Sequence, residues 1–172
     1  MADKSSIFLV GPMGAGKSAV GRKLAEELGC EFLDSDEVIE SRTGVDIPYI
    51  FEREGESGFR ARERQILDEL TKMSGVVLAT GGGAVQEAIN RGRLGARGRV
   101  VYLHASVDQQ LRRTRSNRQR PMLKDGDPRE ILEGLMAVRD PQYREIADVI
   151  VETDGRRVTA VTREIRRRLD EL

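Results

Sequence analysis

The chain has one cysteine and one histidine among its 172 residues. A single thiol, Cys30, permits no internal disulfide and suits a reducing compartment. Beside Gly29 and ahead of an apolar run, it reads as a small packed residue. A single imidazole, His104, can build neither a histidine metal cluster nor a histidine-paired triad. Just past a strand, it reads as a hydrogen-bonded structural group. An excess of either charge is also missing. Lys plus Arg and Asp plus Glu number 29 each, so no net field recruits nucleic acid or a membrane surface. Five arginines (112, 113, 115, 118 and 120) do crowd together, but no aromatic side chains interleave with them as in a nucleic-acid platform. No secretory segment, membrane-length apolar run, internal repeat or low-complexity tract occurs. No Asn-Lys-x-Asp is present to read guanine, which argues against a GTPase switch. These absences leave a cytoplasmic single-domain protein, without nucleic acid or membrane as partners and expected as a monomer.

What is present centres on Gly11-Pro12-Met13-Gly14-Ala15-Gly16-Lys17-Ser18. The apolar run Ile7–Val10 precedes it and a helical pattern, Lys17–Leu28, follows, which is the context a phosphate-binding loop requires. Glycines let successive N–H groups turn inward into an anion-binding nest at a helix N-terminus. Lys17 sets a point charge against the β- and γ-phosphates, and the Ser18 hydroxyl is a hard ligand for Mg²⁺. The chain binds a nucleoside triphosphate.

Five short apolar runs predict buried strands: residues 7–10, 31–34, 76–79, 99–103 and 149–152. Helix-length amphipathic segments separate them, the alternation of a parallel sheet covered on both faces. Asp36 is expected to cap a helix over residues 37–42. Segments 46–53 and 57–73 read as two helices joined at Gly55, an insertion beside the sheet. A helix follows Gly81-Gly82-Gly83, and residues 91–98 form a loop-rich return. Residues 107–115 are helical, and the polar stretch 116–127, which carries Pro121 and Gly126, reads as a lid. Asp127 and Pro128 start a helix that kinks or breaks at Pro141. A basic amphipathic helix over 156–169 ends the chain.

Asp34 and Asp36 sit two apart at a strand end, on one side of the ligand crevice. They could hold Mg²⁺ through water and orient a hydroxyl, or both could cap the next helix. The triple glycine is either a strand-exit turn or a place of close ligand approach. Arg60 could fork onto a carboxylate or stay solvated. The arginine-rich stretch could clamp phosphates.

Taken together, these residues resemble the bacterial single-domain shikimate kinases over nearly the whole chain. The resemblance is carried by the phosphate loop, Asp34-Ser35-Asp36, Gly58-Phe59-Arg60 with Glu63, Gly81-Gly82-Gly83, Arg120-Pro121-Met122-Leu123 and the run from Met136 through Arg139 and Pro141 to Tyr143. It implies ATP-dependent phosphorylation of the shikimate 3-hydroxyl in aromatic amino-acid biosynthesis. Lys17, Asp36 and Arg120 would be catalytic, with Arg120 delivered by the lid. Gly14, Ala15, Gly16, Lys17, Ser18 and Ala19 would contact ATP, with Arg113 and Arg156 at its adenine end. Asp36 and the Gly82 backbone would hold substrate hydroxyls, Arg60 and Arg139 the substrate carboxylate. Ser18 would ligate Mg²⁺, supported through water by Asp34. The implied fold is a three-layer α/β P-loop kinase with a five-stranded parallel sheet in the order 2-3-1-4-5, a substrate-binding insertion over residues 35–62 and the lid. The chain departs from the family pattern at Ala19, where a second hydroxyl commonly follows Ser18, and at Met122, where leucine is usual. The nearest rival is another small-molecule kinase of the same fold, such as a gluconate kinase.

Overall fold

The computed structural model describes residues 5–114 and 126–172. Arg120, Met122 and the expected lid, apart from Gly126 and Asp127, lie outside the described residues. The elements run β1 (Ile7–Val10), α1 (Lys17–Leu28), β2 (Glu31–Asp34), α2 (Ser35–Thr43), α3 (Ile47–Leu70), β3 (Val76–Ala79), a 3₁₀ turn (Ala84–Gln86), α4 (Ala88–Arg97), β4 (Arg99–His104), α5 (Val107–Thr114), α6 (Pro128–Ile146), β5 (Val149–Glu152) and α7 (Val158–Asp170). All strand pairs are parallel, in the order β2-β3-β1-β4-β5. Side-chain alternation along β1 explains the layering. Ile7 and Leu9 enter a core with Leu24 of α1 and Val161, Ile165 and Leu169 of α7. Phe8 and Val10 enter the opposite core with Ile39, Leu67, Leu94 and Tyr143 from α2, α3, α4 and α6. A central parallel strand covered on both faces is continuously apolar, and all of β1 is buried.

After β1 the chain turns to one side of it for β2 and β3, then crosses to the other for β4 and β5. The loop following β1 therefore opens where the chain changes sides, the place where such sheets carry a ligand crevice.

Three expectations need correction. Asp34, not Asp36, caps α2: its side chain accepts from the Asp36 and Glu37 N–H groups at 2.9 and 3.2 Å, so the helix begins at Ser35. Residues 91–98 are not a loop-rich return, because α4 runs from Ala88 to Arg97. Gly92 and Gly95 had weakened its pattern, but both face open space while Asn90 and Leu94 are buried and anchor the helix. Of the kink or break expected at Pro141, the break does not occur, because α6 continues to Ile146. Proline removes only one ladder bond there, and buried residues lie on both sides of it, Leu132 and Arg139 before and Tyr143 after, the last in the same core as Phe8 and Val10. At Gly55 the chain does leave helical geometry (φ 73°, ψ 179°), dividing α3 into the two expected segments. No helix among the described residues is long and apolar enough to cross a membrane.

Candidate active site

Gly16 takes a left-handed conformation (φ 87°, ψ 23°) at the start of α1, a geometry that glycine adopts without strain. A Cβ on Gly11 would lie 2.4 Å from the Leu103 carbonyl oxygen, so the loop's first glycine is fixed by close approach to β4. Ala15 is buried in the core, leaving its backbone as the part a ligand can meet. Lys17 Nζ folds back over the loop, donating to the Gly11 and Pro12 carbonyls at 2.6 and 2.9 Å. The Ser18 hydroxyl donates to Asp34 Oδ2 at 2.7 Å, while Oδ1 of the same carboxylate caps α2. One aspartate thus ties the phosphate loop to the end of β2.

A cleft of about 430 Å³ opens over these groups. Its walls include Gly14, Gly16, Lys17, Ser18, Ala19, Asp34, Asp36, Gly81, Gly82 and Arg113. Arg113, from α5, lies over the loop: a Cβ on Gly16 would come within 3.2 Å of its Nη1. Arg156 is not brought to these walls. Its guanidinium donates to the Glu152 carbonyl at 2.9 Å and to Glu164 Oε1 at 2.7 Å, securing the start of α7. His104 pairs with Glu152 at 2.6 Å, the structural role expected of it.

The three consecutive glycines have different surroundings. A Cβ on Gly81 would lie 2.8 Å from Glu63 Oε2 and 2.9 Å from Asp36 Oδ1, so two carboxylates flank it. The Gly82 carbonyl accepts from the Tyr143 hydroxyl at 2.5 Å. On Gly83 a Cβ would meet Arg60 Nη2 at 2.2 Å and Arg139 Nη2 at 2.8 Å. None of the three has a positive φ, so at Gly81 and Gly83 close approach rather than turn geometry requires glycine, whereas a Cβ on Gly82 would meet nothing nearer than Arg139 Nη1 at 3.5 Å.

Arg60 and Arg139 are anchored behind this backbone. Arg60 Nη1 donates to Glu63 Oε1 at 2.8 Å. Glu63 is wholly buried, and burial pushes its carboxyl above the ordinary range despite the nearby arginines. Arg139 is only 3% exposed, and its Nε and Nη2 donate to Gln86 Oε1 at 3.1 and 3.0 Å. Burial, with the neighbouring Arg60 charge, lowers its pKa. The anchoring parts of Glu63 and Tyr143 were quoted as pattern in the sequence without a role. The Arg60–Glu63 spacing of one helical turn was the available signal for the first. Gln86 carried no signal.

Ser18 and Asp34 are hard oxygen donors facing the cleft, which fits a hydrated Mg²⁺. Among the described residues no cluster of three or more metal-ligating side chains exists. A divalent cation here would take most of its ligands from phosphate oxygens and water, as Mg²⁺ habitually does.

A phosphate cradle and a pair of buried arginines open onto neighbouring parts of one crevice. That layout, on this sheet order, defines a P-loop kinase of a small molecule. The shikimate kinase family model matches residues 13–170. A shikimate kinase from Halorhodospira halophila is 62% identical over 161 residues, 94% of this chain and 91% of that protein. The solved structure of the Acinetobacter baumannii shikimate kinase in complex with shikimate is 51% identical, with a TM-score of 0.95 over 96% of this chain and 93% of that one. A gluconokinase from Sinorhizobium meliloti, 18% identical with a TM-score of 0.63 over 99% of this chain and 94% of that one, shares the fold alone. The chain belongs to the shikimate kinase family and is an enzyme of the kinase class.

Proposed function

We propose that this chain transfers the γ-phosphoryl group of ATP to the 3-hydroxyl of shikimate through the residues assembled in this cleft. The convergence of Arg60 and Arg139 on Gly83, beside the phosphate loop, carries the reading. Two guanidinium forks suit a carboxylate acceptor, and the loop's inward N–H groups suit the donor phosphates. Lys17 exchanges its two backbone carbonyls for β- and γ-phosphate oxygens. Asp36, flanking Gly81, accepts the hydrogen bond of the acceptor hydroxyl and aims its oxygen at phosphorus. The hydroxyl oxygen forms the new P–O bond, the bond to the β-phosphate bridge breaks, and the hydroxyl proton passes to the Asp36 carboxylate. Gly82, fixed by Tyr143, presents backbone to the acceptor's remaining hydroxyls. Ser18, with Asp34 through water, would hold Mg²⁺, which would supply neutralisation of phosphate charge. Arg113 covers the nucleotide side. Arg120 supplies the further cation that the family resemblance assigns, and Arg156 holds α7 at the adenine end.

ADP release measured against a panel of hydroxy acids tests the reading. Turnover is expected with shikimate and not with gluconate; the reverse result would overturn it. Arg60→Ala is expected to weaken shikimate binding by about 2–5 kcal/mol, the usual range for truncating one partner of a buried charge pair. Titration calorimetry should find ATP binding little changed.

A further inference from the structure

Arginines around the acceptor corner are matched with carboxylates: Arg60 with Glu63 at 2.8 Å, Arg64 with Glu87 at 3.1 Å and Arg91 with Glu145 at 2.7 Å. Arg139 is the exception. Among the described residues no carboxylate forms an ion pair with it, and its side-chain partners are neutral, the amide of Gln86 and the hydroxyl of Tyr143. Yet Arg139 is almost wholly buried and shares Gly83 with a second guanidinium. A buried cation normally acquires a counter-charge, because desolvation is costly without one.

Two consequences follow from a neutral anchor. The first is geometric. Gln86 Oε1 occupies the edge of the guanidinium formed by Nε and Nη2. The opposite edge, Nη1 with the outer N–H of Nη2, is left toward the glycines, 3.5 and 2.8 Å from where Cβ atoms of Gly82 and Gly83 would sit. Guanidinium groups bind carboxylates in pairs of parallel bonds, so fixing one edge selects the other for the acceptor. The second is electrostatic. Arg60 has carboxylates at 2.8 Å (Glu63) and 3.9 Å (Glu56), whereas Gln86 sets no negative charge against Arg139. A glutamate at position 86 could make the same two contacts and would neutralise Arg139 before any acceptor arrived.

We propose that Gln86 is a positioning and specificity residue of this corner: it fixes the acceptor-facing edge of Arg139 and, being uncharged, leaves the Arg139 charge for an anionic acid to pair with. The inference rests on the shikimate reading given above. It is tested by comparing KM for shikimate and for its carboxamide in the wild type, Gln86→Glu and Gln86→Leu. Gln86 is exposed, so either substitution should leave the fold intact, while Gln86→Leu, which strips buried Arg139 of its anchor, should lower the melting temperature. Gln86→Glu should raise KM for shikimate about tenfold, the scale of one added charge within a few ångströms of a solvent-accessible site. KM for ATP and kcat should stay within about twofold of wild type, and KM for the carboxamide should not rise. Gln86→Leu, which frees the guanidinium without adding charge, should raise KM for shikimate while kcat holds. A merely structural role would move both acceptors alike. Equal increases for acid and carboxamide in Gln86→Glu, or no increase, would overturn the proposal. Absence of shikimate binding by the wild type would instead remove the reading of the corner itself, and the role of Gln86 with it.

Discussion

Arg60 and Arg139 bring two like charges to one glycine: a Cβ on Gly83 would lie 2.2 Å from Nη2 of the first and 2.8 Å from Nη2 of the second. The two belong to different helices, α3 and α6, and each is held from behind by its own partner, Glu63 or Gln86. Repulsion between them is built into the fold, and Arg60 is one of the causes that lower the Arg139 pKa, after burial.

Gly83→Ala tests that convergence without disturbing the backbone. Gly83 has φ −93° and ψ 2°, which alanine adopts readily, so the only new event is a methyl group between the guanidiniums. KM for shikimate should rise by about tenfold or more, since truncating such a charge contact outright costs about 2–5 kcal/mol. KM for ATP should not change. Gly92→Ala is the control: its Cβ would meet open space in α4, and stability should rise by up to about 1 kcal/mol. Unaltered shikimate kinetics in Gly83→Ala would separate the two arginines from acceptor binding.

Lys17→Ala addresses the donor side. Its amine donates to the Gly11 and Pro12 carbonyls of its own loop, at 2.6 and 2.9 Å. Stability should fall by about 1 kcal/mol, the net worth of a typical hydrogen bond. Turnover should drop below detection, with the circular dichroism spectrum unchanged. Wild-type turnover would refute the role given to this lysine.

Glu63→Gln should show its effect as a dependence on pH. Burial raises the Glu63 pKa in the folded state above its unfolded value of about 4.3. A raised pKa contributes stability that is complete below the unfolded value and is lost as pH rises through the folded one. Glutamine does not titrate, so the variant escapes that loss. The Tm of the variant minus that of the wild type should therefore increase from acid toward neutral pH, then level off. Calorimetric melts across that range would check it, and a difference independent of pH would contradict the assignment.

Patterns contained within a few residues were legible without a structure. The glycine spacing before Lys17 and Ser18 encodes a nest by itself, and five apolar runs of strand length encode a sheet covered on both sides. The break at Gly55 and the start of α6 at Asp127-Pro128 were equally local. Quoted motifs then carried the family, and with it the strand order. Other features depended on which surfaces the chain brings together. Asp34 caps α2 at the end of β2, where it also meets Ser18, whereas the sequence pattern put the cap at Asp36. Buried Asn90 and Leu94 hold a helix that Gly92 and Gly95 argued against, and packing against the sheet carries α6 through Pro141. The reason for glycine at Gly81 and Gly83 was also invisible in sequence. Gly81 is flanked by Asp36 and Glu63, and Gly83 by Arg60 and Arg139, residues distant along the chain. Propensity and periodicity act over one or two turns of backbone, but the acceptor corner exists only where α3, α6 and the exit of β3 meet, so tertiary packing alone decided its geometry.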